Sequence, residues 1–166
     1  YQKTRKYAYE SKDDFQALID MLVDVTAAYL IRQVDEGAEV IQIFDSWAGV
    51  LPPTQFDQWV IKPFKKIVRT VKEAYPKVPI IGFPKGAGLS YSTFAERTGV
   101  DAVSLDSTVP LDWAAENVQN HTVVQGNLDN LVLRAGGELL DFTAKSILEA
   151  FSDRPFIFNL GHGILP

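Results

Sequence analysis

The sequence predicts an α/β fold built on a parallel sheet. Three observations carry this expectation. Five short, mostly apolar segments recur along the chain, each follows a stretch with helical character, and each ends in a polar or glycine-bearing cluster. Apolar strands without polar alternation are buried on both faces, and their regular exchange with helices is the pattern of parallel α/β sheets. No Gly/Ser-rich linker, internal repeat or low-complexity stretch interrupts the alternation, so a single domain is expected.

Residues 1–14 are polar and aromatic and carry no clear period. From Phe15 the spacing turns helical, with Phe15, Leu18, Ile19, Leu22, Val25 and Tyr29 expected on the buried stripe. Ser11 with Asp14 reads as a capping-box start and Gly37 as the stop. Val40 to Phe44 is the first strand. Pro52-Pro53-Thr54 opens a helical stretch that Pro63 is expected to divide into a short helix and a longer one reaching Tyr75. Phe64, Ile67, Val68 and Val71 form the apolar stripe of the longer helix. Pro76 ends it, and Val78 to Phe83 is the second strand.

Three further units follow. A helix near 91–98 stops at Gly99, and Ala102 to Leu105 is the third strand. Asp112 can cap a helix reaching Val118, and Thr122 to Gln125 is the fourth strand. A helix near 137–151 precedes the fifth, Phe156 to Phe158.

Composition narrows the function. Of 166 residues, 46% are hydrophobic and 22% charged, which is ordinary globular composition. The absence of cysteine excludes disulfides, thiolate metal sites and a cysteine nucleophile. Sixteen basic against 21 acidic residues give a net charge of -5, which argues against nucleic acid or an anionic membrane as the main partner. No apolar run approaches the roughly 18 residues that span a bilayer. The sole methionine is Met21, so Tyr1 is expected to be no translation start, and the chain to be processed or part of a longer one.

In parallel α/β folds, chemistry gathers just beyond the strand C-termini. Those positions here are Asp45-Ser46-Trp47, Pro84-Lys85-Gly86, Asp106-Ser107-Thr108, Asn127-Leu128-Asp129 and Asn159-Leu160-Gly161-His162. Ser46 sits in no Gly-x-Ser-x-Gly elbow, so it is a donor to a substrate carboxylate or a turn hydroxyl. Asp45 could orient a ligand or cap the next helix, with capping the safer expectation. His162, flanked by glycines, could meet a carboxylate through a charge-assisted bond or satisfy a neighbouring loop. His121 is expected to be exposed at the opposite end. Asp106, Asn127 and Asp129 read equally as ligand contacts or as turn and cap residues. Lys85-Gly86-Ala87-Gly88 lacks the P-loop order, so phosphate binding there is a weak signal. No ligand spacing suits a metal, and no dinucleotide fingerprint follows any strand.

Five motifs carry a resemblance. Phe44-Asp45-Ser46-Trp47-Ala48-Gly49, Gly82-Phe83-Pro84-Lys85-Gly86, Ser104-Leu105-Asp106, Gln125-Gly126-Asn127-Leu128-Asp129 and Asn159-Leu160-Gly161-His162-Gly163 together resemble the uroporphyrinogen decarboxylase family, in its bacterial form. The match in order and spacing runs from about Ala8 to Pro166. It implies a TIM-type (β/α)8 barrel, a homodimer and a cytoplasmic enzyme of haem biosynthesis. The implied reaction is decarboxylation, without a cofactor, of the four acetate side chains of uroporphyrinogen III to give coproporphyrinogen III. Ser46 and His162 match the family's substrate-carboxylate contacts.

The resemblance also marks what is not in this chain. The family's Arg motif, its Asp facing the pyrrole nitrogens and a Tyr lie upstream of Tyr1. Those groups are the ones expected to stabilise the protonated pyrrole, so the catalytic residues are expected outside this chain. A typical (β/α)8 barrel needs about 250 residues, and five strands of eight are legible. Residues 1–166 are therefore expected to form one incomplete barrel domain, lacking the N-terminal part and a final helix after Pro166, and to be inactive alone. Three alternatives stand beside this reading. They are a non-catalytic tetrapyrrole-binding or dimerisation module of the same fold, a corrinoid methyltransferase-type barrel, and a phosphosugar barrel enzyme. The methyltransferase is disfavoured because its zinc would be sought by thiolates that this sequence does not have.

Overall fold

The computed structural model describes residues 1–164. The expectation of a missing helix after Pro166 lies outside the described residues. The observed order is α1 (Gln2–Glu10), α2 (Lys12–Asp35), β1 (Ile41–Asp45), α3 (Pro53–Phe56), α4 (Lys62–Ala74), β2 (Ile80–Pro84), α5 (Ser90–Thr98), β3 (Ala102–Ser104), α6 (Leu111–Asn117), β4 (Val123–Leu128), α7 (Asn130–Ala135), α8 (Gly137–Ala150) and β5 (Phe156–Leu160). The five strands form one sheet in sequence order, and every pairing is parallel. Unreversed order with a helical crossover at each step is the winding of a (β/α) barrel, here five strands of it.

The register shows what each row of side chains faces. Ile41, Ile43, Ile80, Val103, Leu105, Val124 and Leu128 point to the helices and share one core with Phe64, Val68, Val71, Phe94 and Phe151. The intervening residues Gln42, Phe44, Ile81, Phe83, Ala102, Ser104, Gln125, Asn127, Ile157 and Asn159 make the opposite row, the lumen side of a barrel. That side is incompletely covered: Phe44 is 64% and Ile157 41% exposed. A polar link crosses it, since Gln125 Nε2 donates to Ser104 Oγ at 3.2 Å and to Gln42 Oε1 at 3.3 Å.

Several expectations are corrected. Residues 2–10 are helical, although only Ala8 is buried. Lys6 and Glu10 pair one turn apart at 3.5 Å, and the segment consists largely of good helix formers, a signal that apolar periodicity does not register. Ser11 separates α1 from α2 but its side chain makes no capping bond. Along α2 the core face is Phe15, Val23, Ala27 and Leu30, while Leu18, Leu22, Val25 and Tyr29 are exposed. This helix is apolar on two faces: one packs on α4, with Phe15 at its start against Ala8 and Trp59, and the other is exposed.

The short helix and the longer one expected around Pro63 are found as α3 and α4, joined by helical backbone rather than by a break. A π-helical turn, Asp57–Ile61, precedes Pro63, with Lys62 N–H donating to Asp57 O. The wider turn accommodates the proline ring and its missing donor. Asp112 stands in the first turn of α6 rather than at its cap, which is Pro110. Helix α7 is additional, and Asp129 starts it by accepting from Leu131 N–H at 2.7 Å. The fourth and fifth strands run on to Leu128 and Leu160, which brings Asn127 and Asn159 into the sheet.

Candidate functional site

All five strands end on one face, so the polar clusters that follow them share one mouth. Their loops are tied to one another by backbone contacts. Lys85 N–H donates to Asp45 O at 3.0 Å, extending the β1–β2 ladder by a step, and Gly49 N–H returns to Lys85 O at 3.1 Å. Gly161 N–H donates to Leu128 O at 2.8 Å, and a Cβ on Gly161 would stand 2.9 Å from the Asp106 carbonyl carbon. The loops after β3, β4 and β5 therefore touch through main chain.

Asp106 is the hub. It is 4% exposed, and both carboxylate oxygens are filled by protein donors. Gly86 N–H donates to Oδ2 at 2.7 Å and Tyr91 Oη at 2.8 Å. Thr108 N–H donates to Oδ1 at 3.0 Å, joined by the Thr108 hydroxyl. Burial acts to raise this carboxyl, but the donors from Thr108, Gly86 and Tyr91 outweigh it and hold it below the usual carboxylate range. The Tyr91 hydroxyl, desolvated and facing the Asp106 charge, is pushed well above its ordinary value. Of the two readings open for Asp106, the structural one is found: its lone pairs are spent on the loops. Asn127 acts likewise, donating through Nδ2 to Val109 O at 2.9 Å and Asp106 O at 3.1 Å. Asp129 is a cap.

The two predicted carboxylate contacts stand differently. Ser46 and His162 are both exposed, follow β1 and β5 respectively, and open onto the mouth. They lie at the two edges of the five-stranded sheet, so the described residues do not bring them into contact. Asp45 is partly buried beneath Ser46 and accepts from Trp47 N–H at 3.2 Å, which makes it a turn residue. Burial raises its carboxyl above the ordinary value, against the backbone donors of Trp47 and Ala48. A cavity of about 360 Å³ adjoins this loop, lined among others by Arg5, Phe15, Asp45, Trp47 and Trp59. His121 is exposed ahead of β4, away from the mouth, as expected.

Sequence reasoning missed the Asp106 hub and its partner Tyr91. The Asp-x-Thr order at 106–108 was a usable signal for an Asx-type turn, but nothing in the sequence aligned Tyr91 or Gly86 with it. No helix is long and apolar enough to cross a membrane among the described residues.

Parallel βα units with polar loops gathered at the strand C-termini define the class of (β/α) barrels, of which this chain forms five strands. A solved structure of similar fold is a psychrophilic glycoside hydrolase family 10 endo-β-1,4-xylanase, with TM-score 0.50 at 12% identity, covering 89% of this chain and 59% of that one. At that identity the likeness concerns fold alone. Sequence is more specific. The uroporphyrinogen decarboxylase (URO-D) family model matches residues 1–166. The uroporphyrinogen decarboxylase of Rhodospirillum rubrum is 54% identical over 162 residues, 98% of this chain and 47% of that protein. That of Rhizorhabdus wittichii is 53% identical over 163 residues, with the same coverage of each chain. The chain belongs to the uroporphyrinogen decarboxylase family, and it spans about half the length of the curated relatives it matches.

Proposed function

We propose that residues 1–166 form one wall of the substrate cleft of a uroporphyrinogen decarboxylase, which converts the four acetate side chains of uroporphyrinogen III to methyls and yields coproporphyrinogen III. The observation that carries this reading is the family match over the whole chain, with Ser46 and His162 both exposed at the strand C-termini. In a ring of eight strands, the first and fifth of five consecutive strands stand about 180° apart. Two carboxylate contacts facing each other across a mouth suit a macrocycle bearing carboxylates around its rim.

In this reading Ser46 Oγ–H and the His162 imidazole donate to peripheral carboxylates and fix the ring's orientation. Loss of CO2 leaves the bonding electron pair in a protonated pyrrole, and reprotonation of the methylene carbon gives the methyl group. The Arg and Asp that stabilise that cation in the family belong to segments outside these residues, so this chain contributes binding and orientation. No cofactor is assigned to the reaction, and a homodimer in the cytoplasm completes the proposal.

The test is a graft. Residues 1–166 replace the matching segment of the Rhodospirillum rubrum relative, and the product is assayed on uroporphyrinogen III. Coproporphyrinogen formation by the graft, with none by the isolated chain, is expected. A folded graft without turnover would overturn the reading.

A further inference from the structure

The geometry points to Lys85 as a further carboxylate-binding residue of the mouth, gripping a peripheral carboxylate of the porphyrinogen between the Ser46 loop and β3. This rests on the proposed reading of the site. Three observations on the chain support it.

The first is register. Ile81 and Phe83 are in the lumen row of β2, and Lys85, two residues further, continues that row just past the strand end. Its backbone is held on both sides by Asp45 O and Gly49 N–H. The following Gly86 N–H is fixed by Asp106, so the residue is carried on a rigid edge.

The second is charge. Among the residues that follow the five strands, Asp45, Asp106 and Asp129 are acidic, and Lys85 is the one permanent cation. A polycarboxylate approaching such a rim meets net repulsion unless that cation is available to it.

The third is its lack of an internal partner. The other half-buried lysines, Lys66 and Lys72, both form ion pairs within the chain. Among the described residues, Lys85 forms none, although it is half-buried and two carboxylates, Asp45 and Asp106, lie on neighbouring strand ends. Asp106 is saturated by Gly86, Tyr91 and Thr108. A lysine whose stem is half-buried at the rim, and whose ammonium is left without a partner beside a fully satisfied carboxylate, is arranged for an external anion.

The experiment uses the same graft and reads binding of uroporphyrin, the stable oxidised octacarboxylate, by fluorescence quenching. Lys85→Met keeps the aliphatic stem and removes the charge, and Lys85→Arg keeps the charge. Lys85→Met should raise Kd about tenfold or more and flatten its salt dependence, while Lys85→Arg stays within about threefold. Should Lys85→Met melt at a lower temperature, Lys85→Gln serves for the same comparison. Binding unchanged within twofold in the neutral variants would overturn the assignment, even in a graft that decarboxylates. A graft that binds uroporphyrin through Lys85 yet shows no turnover keeps the assignment and overturns the reaction.

Discussion

Gly49 and Gly86 meet backbone to backbone: a Cβ added to Gly49 would stand 2.8 Å from Gly86 Cα and overlap its carbonyl group. This contact seats the loop bearing Ser46 on the loop bearing Lys85, and only a hydrogen at position 49 leaves room for it. Gly49→Ala must push the two loops apart, and overpacking of this kind costs about 1–3 kcal/mol. Urea unfolding of the graft should show that loss. Its KM for the porphyrinogen should rise as well, because the displaced loop carries Ser46, the proposed carboxylate contact. An alanine variant with unchanged midpoint and KM would contradict the contact.

Asp106→Asn should destabilise by about 1–3 kcal/mol, since an amide nitrogen must face a donor it cannot accept from. Tyr91→Phe should cost less, about 1 kcal/mol, because it removes one of the four donors and leaves the others in place. The two losses should not add, because both act on one hydrogen bond. A double-mutant cycle by chemical denaturation checks this, and simple additivity would remove Asp106 from its role as hub.

The same carboxylate gives a pH signature. Its folded-state pKa lies below the unfolded value, near 3.9 for an aspartate. Its stabilisation is thus complete above about pH 5, and falls away as pH drops through the unfolded and then the folded value. The stability gap between the unsubstituted graft and Asp106→Asn should be flat above about pH 5 and narrow below about pH 4. Asp45 runs the other way, since burial raises its carboxyl. Its contribution is greatest below the unfolded value and is lost as pH rises through the folded one, so Asp45→Asn should gain on the unsubstituted protein as pH rises.

Ser46→Ala and His162→Asn should act on substrate rather than on fold. Both side chains are exposed and make no side-chain hydrogen bond among the described residues, so thermal midpoints should shift little. In the graft, each should raise KM for uroporphyrinogen III by about tenfold, the worth of one charge-assisted hydrogen bond. Steady-state kinetics and melting curves on the same preparations separate the two effects. A lowered melting temperature with unchanged KM would reverse the assignment of either residue.

The open sheet face predicts the behaviour of residues 1–166 alone. With Phe44 and Ile157 uncovered, and β1 and β5 at the sheet edges, the isolated chain should bind a hydrophobic dye and self-associate. Both properties should diminish in the graft. Size-exclusion chromatography and dye fluorescence measure this directly.

The alternation of apolar strands with helices determined the α/β class, the parallel sheet and the five helices that precede the strands, because burial on both faces leaves an unmistakable apolar run. The strand-end motifs, through the family they resemble, also marked Ser46 and His162. Other features depended on what each surface meets in space. Leu22, Val25 and Tyr29 are as apolar as Val23 and Leu30, and only packing against α4 decided which of them is buried. Helix α1 escaped because its stability is local and its face polar, so it left no apolar period. The hub at Asp106 escaped for a different reason. Its partners Gly86 and Tyr91 are 20 and 15 residues away, and a hydrogen bond across strand ends exists only once the register of β2 and β3 is set. Composition and spacing record propensity and burial along the chain, whereas which carboxylate is satisfied and which cation is left for a ligand is settled by the sheet that brings them together.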